Sequence, residues 1–203
     1  MLKFLVLCTL AAMVAADGTR IEYRLSNYRN QGGVLASGKK CDRGVGKKCD
    51  PLITATIDTD SPSSAWPGSK PLKSWTKVFE ADEQDSAAVN KIVSKDICGR
   101  LNSQTPKLRV NVVDVDGDHT TPIEQFECLA GRDVSRSESS AQWSTEKACN
   151  ARNNPDRVNL MYSWRAFTIP DRECGEQAIG GGWSSSGSGR DPSRRPWGSR
   201  RLD

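Results

Sequence analysis

The residues best able to do chemistry lie in Val113-Asp114-Val115-Asp116-Gly117-Asp118-His119, where three carboxylates fall on alternate positions. A second acidic pair, Asp58 and Asp60, follows the β-rich run Leu52–Ile57. Carboxylate oxygens in such numbers suit Ca²⁺, a hard cation that takes six to eight oxygen ligands in relaxed geometry. An EF-hand is excluded. Counted from Asp114, the positions that would need glycine and glutamate hold His119 and Gln125, and Pro122 opposes a following helix. If the strands before the two acidic stretches are neighbours, their loops are expected to meet at one end of the fold. Asp58, Asp60, Asp114, Asp116 and Asp118 would then line one pocket with Glu124 in reach, and a divalent cation would relieve their repulsion. The same residues also make ordinary Asp/Gly turns without any ion, and both readings stand at this level.

Catalysis finds little support. His119 is the sole histidine, and the chain has no G-x-S-x-G nucleophile elbow and no H-E-x-x-H zinc motif. With 6% aromatic residues, the sequence offers little material for a deep substrate cleft. A non-catalytic protein is expected, with a small secreted hydrolase as the remote alternative.

These residues need a scaffold, and its dominant period is two. Ile21, Tyr23 and Leu25 alternate with polar neighbours, as do Leu108, Val110 and Val112, and then Val158, Leu160, Tyr162 and Trp164. Leu72–Phe79 is a further β-rich run bounded by turn formers. Ala87–Cys98 reads equally as strand or short helix, and Glu138–Asn150 has room for one or two helical turns. Short strands separated by polar loops predict an all-β chain folded as an antiparallel β-sandwich.

The N-terminus predicts export. Lys3 precedes an apolar run from Phe4 to Ala16, with small residues Val14 and Ala16 at the cleavage positions, so residues 1–16 read as a secretory signal. The run is too short to span about 30 Å of hydrocarbon, so a membrane-spanning protein is not expected. Cys8 leaves with the signal, and Cys41, Cys49, Cys98, Cys128, Cys149 and Cys174 remain. An even set in an exported chain reads as three disulfides whose pairing the sequence leaves open, and with no C-x-x-C a zinc site is not indicated. Residues 175–203 are rich in Gly, Ser and Arg, broken by Pro192 and Pro196, and are expected to be a disordered tail. Trp183 and Trp197 are its two aromatic residues. The net charge of +4 on 29 basic and 25 acidic residues is too mild to indicate nucleic-acid binding.

The strand-and-acid pairs ITATIDTDSP and LRVNVVDVDGDHT resemble the calcium-loop regions of C2 domains. That resemblance implies an eight-stranded sandwich binding Ca²⁺, and often phospholipid, at one end. Asp58 and Asp60 would stand in the first loop and Asp114, Asp116 and Asp118 in the third. Pro122 and Glu124 occupy the region where such loops usually carry a further aspartate. Residues 21–50, through Leu25, Tyr28, Asn30, Gly32, Gly38, Cys41 and Cys49, further resemble the N-terminal C2-like module of Notch ligands. The DSL module and EGF repeats that adjoin that module are missing from the sequence, so Notch signalling is not carried over. Together these readings predict a signal at 1–16, a disulfide-stapled C2-like sandwich at 17–174 and a tail at 175–203. The expected role is a secreted interaction module. Its partner would be extracellular matrix or a cell-surface protein, or a mineral or phospholipid surface, including a component of a mineralised matrix. A diffusible receptor ligand is the alternative.

Overall fold

A computed structural model describes residues 18–42, 46–98 and 105–175. The expected signal, and all of the expected tail beyond Gly175, lie outside the described residues. Nine strands form: β1 (Gly18–Asn30), β2 (Pro51–Asp58), β3 (Thr76–Glu80), β4 (Ser86–Ile97), β5 (Lys107–Asp116), β6 (His119–Leu129), β7 (Lys147–Ala148), β8 (Asn150–Ala151) and β9 (Val158–Ile169). They make two antiparallel sheets, ordered β4-β1-β9-β7 and β3-β2-β5-β6-β8. The expected sandwich is what the chain forms.

The alternation that predicted β1, β5 and β9 is what builds the core. Ile21, Tyr23 and Leu25 face Ile53, Ala55, Leu108, Val110, Val112 and Phe126 of the opposite sheet, with Leu160 and Tyr162 beside them, all buried. A bulge after Leu25 shifts the phase of β1, so that Tyr28 and Asn30 turn inward. Two of the three buried phenols find carbonyl partners: Tyr23 donates to Pro106 at 2.9 Å and Tyr162 to Leu129 at 2.7 Å, while the Tyr28 hydroxyl has none. Residues 87–97 are resolved in favour of a strand. Residues 138–150 hold one short 3-10 turn, Glu138–Ser140, and then two two-residue strands. That segment is fixed by charge-aromatic stacking, with the Trp143 ring beneath the guanidinium groups of both Arg24 and Arg165, at 4.7 and 4.8 Å.

The six cysteines among the described residues all pair. Cys41–Cys49 closes the β1–β2 connection, Cys128–Cys149 ties β6 to the segment between β7 and β8, and Cys98–Cys174 joins the end of β4 to the segment after β9. Strand direction defines two ends. The β1–β2, β3–β4, β5–β6 and β8–β9 connections gather at one, here the hairpin end. The β2–β3 and β6–β7 connections and the segment after β9 gather at the other.

Candidate functional site at the hairpin end

The single pocket of five aspartates does not form, because β2 and β5 are neighbours running in opposite directions. Pro51 pairs with Asp114, whereas Asp58 pairs with Lys107. Seven residues of strand, about 23 Å, therefore separate the two acidic stretches.

Asp58 is occupied elsewhere. Its carboxylate accepts from Arg109 Nε at 3.0 Å, from the Ser61 and Ser69 N–H groups and from the Ser69 hydroxyl at 2.9 Å. Burial alone would raise its pKa, but these donors, led by the Ser61 N–H, hold it below the usual carboxylate range. Arg109 points outward from β5 yet is fully buried. The β2–β3 connection folds over it, and its guanidinium donates to the Pro62 and Ser64 carbonyls and to Glu127. Gly68 is required there: its φ is +94°, and a Cβ would press on Asp58 and Arg109. Asp60 is exposed, with Lys95 at 3.9 Å as its ion-pair neighbour. Asp58 is thus held by protein donors, and Asp60 stands apart from the hairpin-end acids.

The hairpin end differs. Asp114 is the last residue of β5 paired with β2 and is 1% exposed. Its Oδ1 accepts the Asp50 N–H at 2.7 Å, while its buried Oδ2 has no hydrogen-bond partner. The Asp50 main chain also accepts the Val115 N–H, and its carboxylate accepts the Glu83 N–H. Glu83 in turn takes the Lys48 N–H and the Lys47 ammonium, and Asp85 takes the Cys49 N–H. Burial pushes the Asp114 pKa up, and the charges of Asp116, Asp42 and Asp50 add to it against the Asp50 N–H. Asp42 is also raised, by desolvation first and then by Asp116, Asp50 and Glu83. The charges of Asp42, Asp50 and Asp116 thus act on the carboxylate of Asp114, whose buried Oδ2 has no hydrogen-bond partner.

The Cys41 and Cys49 sulfurs lie within 4.8 Å of the Asp114 carboxylate. Bonded to each other, they supply no thiolate, so the available donors are oxygens and the set suits a hard cation rather than zinc. Asp118 and His119 are exposed at the β5–β6 turn, where Gly117 adopts φ +59°. Glu124 is at this end but fully buried. It accepts four main-chain N–H groups, those of Gln125, Arg152, Asn153 and Asn154, and the Asn153 amide. It anchors a loop and is not an ion ligand.

Comparison with solved structures bears on the sandwich fold. A C2 domain protein from Ramazzottius varieornatus superposes with a TM-score of 0.72 at 27% identity, covering 82% of this chain and 98% of that one. The chain is a C2-like domain. A Drosophila C2-DSL-EGF1 fragment matches at a TM-score of 0.47 and 13% identity, over 73% of this chain and 67% of that one. Human GIVD cytosolic phospholipase A2 matches at 0.48 and 10% identity, over 75% of this chain and 17% of that one. No protein-family model matches the chain, and no curated protein matches it in sequence.

At the hairpin end of this C2-like domain, Asp114, Asp116 and Asp118, singled out from the sequence, are joined by Asp42 and Asp50, which sequence reasoning did not name. Their signal was their position: Asp50 immediately precedes β2, and a β2 antiparallel to β5 brings its beginning, not its end, to the acidic hairpin. Among the described residues, no helix is long and apolar enough to cross a membrane.

Proposed function

We propose that the protein is an extracellular, Ca²⁺-responsive interaction module whose cation site is formed by Asp42, Asp50, Asp114 and Asp116. The observation that carries this reading is the Asp114 Oδ2, buried and unpartnered in a carboxylate that also feels the charges of Asp116, Asp42 and Asp50. A buried carboxylate oxygen without a donor is costly, and like charges beside it raise the cost. A cation among these oxygens removes both penalties. Three disulfides support an oxidising, extracellular setting, as does the signal-like segment 1–16. Cation binding would tie the β1–β2 connection to the end of β5 and so prepare the hairpin end to meet a cell-surface or matrix component.

The test is calorimetric titration of the oxidised protein with Ca²⁺, paired with thermal unfolding in Ca²⁺ and in EDTA. Heat of binding and a rise in Tm of several degrees are expected, both lost in Asp114→Asn and retained in Asp60→Asn. Absence of heat and of any Tm shift at millimolar Ca²⁺ overturns the cation site.

A further inference from the structure

The core-facing row of β1 is apolar, but its partners on the edge strand β4 are not. Ile21 pairs with Lys95, Tyr23 with Val93 and Leu25 with Lys91. Two lysines therefore point inward at the seam where β4 meets β2 and β3 of the other sheet. The seam holds a cleft of about 190 Å³, to which Lys70 and Lys77 also contribute, and no acidic residue lines it.

Inward charges on an edge strand guard against strand-to-strand aggregation, and that role explains one or two lysines. It does not explain a cleft that three segments of the chain line with lysines and none lines with an acid. Lys95 is held by the Thr59 hydroxyl and the Ile57 carbonyl, with exposed Asp60 at 3.9 Å. Burial lowers its pKa, and Lys70 nearby opposes its charge. Lys77 reaches outward to Glu80 at 2.7 Å. Lys91, half-buried, has no hydrogen bond or ion pair among the described residues. The cleft thus carries more positive charge than its surroundings neutralise.

We propose that this seam binds a sulfated polysaccharide chain. Lys91 and Lys95 lie four residues apart on one strand, about 13 Å, a span that calls for successive anionic groups rather than one sulfate or phosphate ion. Lys95 is recessed, with a side chain 16% exposed, so a slender chain reaches it and a flat lipid surface does not. All four cations are lysines, compact charges with little directional demand, which suits sulfate groups arriving in a variable pattern. The choice of a glycan among polyanions rests on the extracellular setting proposed above; the site itself does not depend on the cation site.

The experiment is calorimetric titration of the full protein, in EDTA, with a heparin-derived octasaccharide, with its desulfated form, with inorganic sulfate and with phosphatidylserine vesicles. Binding of the sulfated octasaccharide alone is expected, weakening with salt. Lys91→Gln with Lys95→Gln should reduce affinity at least about tenfold, and Lys47→Gln with Lys48→Gln should leave it unchanged. Lys91→Gln alone, which removes no internal contact, should weaken binding with an unaltered Tm and so separates a lost ligand contact from misfolding. Unchanged affinity in Lys91→Gln, equal loss in the Lys47 and Lys48 variant, or lysine-dependent binding to vesicles in place of the octasaccharide overturns the proposal. Because EDTA removes Ca²⁺ throughout, none of these outcomes depends on the hairpin-end site.

Discussion

Two aspartates of similar sequence context have opposite pH behaviour. Asp58 has its pKa lowered by its donors, so its contribution to stability is present above its unfolded pKa, about 3.9, and is lost as pH falls through the folded value. Asp114 has its pKa raised by burial and by neighbouring acids. Its contribution is therefore present below the unfolded pKa and is lost as pH rises through the raised folded value. In EDTA, the Tm of wild type relative to Asp114→Asn should accordingly fall as pH rises from about 3.5 into the region above the ordinary carboxylate range, and Ca²⁺ at neutral pH should abolish that penalty. A pH series of thermal melts on both proteins checks this. Arg109 belongs to the same scale. Replacing it with Met strands the buried Asp58 charge, and a loss of about 3–5 kcal/mol is expected in urea unfolding.

At the scale of elements, the disulfides differ in what they constrain. Cys98–Cys174 spans 76 residues and Cys41–Cys49 spans 8. Loop-closure entropy gives about 4.5 kcal/mol for the longer and about 2.5 kcal/mol for the shorter. Replacing Cys98 and Cys174 by Ala should therefore lower stability more than replacing Cys41 and Cys49 in denaturant unfolding. The shorter bridge should matter more for function, because it positions the connection carrying Asp42 and Asp50; its loss should weaken Ca²⁺ binding even where the fold survives. The strands themselves were legible, since alternation over Ile21–Leu25, Leu108–Val112 and Val158–Trp164 is a local signal of one buried face. Strand direction was not. Whether the acids before or after β2 join those of β5 depends on a pairing between residues more than fifty positions apart, as with Pro51 and Asp114. Arg109 escaped notice for a related reason: an outward residue of an alternating strand reads as solvated until a remote connection is seen to cover it.

For the whole molecule, the antiparallel arrangement separates functions that a shared pocket would have merged. One end is clamped by a buried ion pair, the other presents carboxylates, and the lysine seam runs along one side. Sites this far apart, without common partners, should behave additively. Asp114→Asn should leave octasaccharide affinity unchanged, and the Lys91 and Lys95 variant should leave the Ca²⁺-induced Tm shift unchanged. Calorimetric titration of each ligand in the presence and absence of the other measures any coupling directly.

Glu124 has a consequence for how this surface can diversify. It holds residues 152–154 chiefly by their main-chain N–H groups, with one side-chain contribution from Asn153. A loop gripped by its amides is indifferent to most of the side chains it displays, provided none is proline. Arg152 can therefore be exchanged for residues of any charge or bulk without disturbing the scaffold, which makes this loop a natural place to retune, or to graft, recognition beside the acidic hairpin.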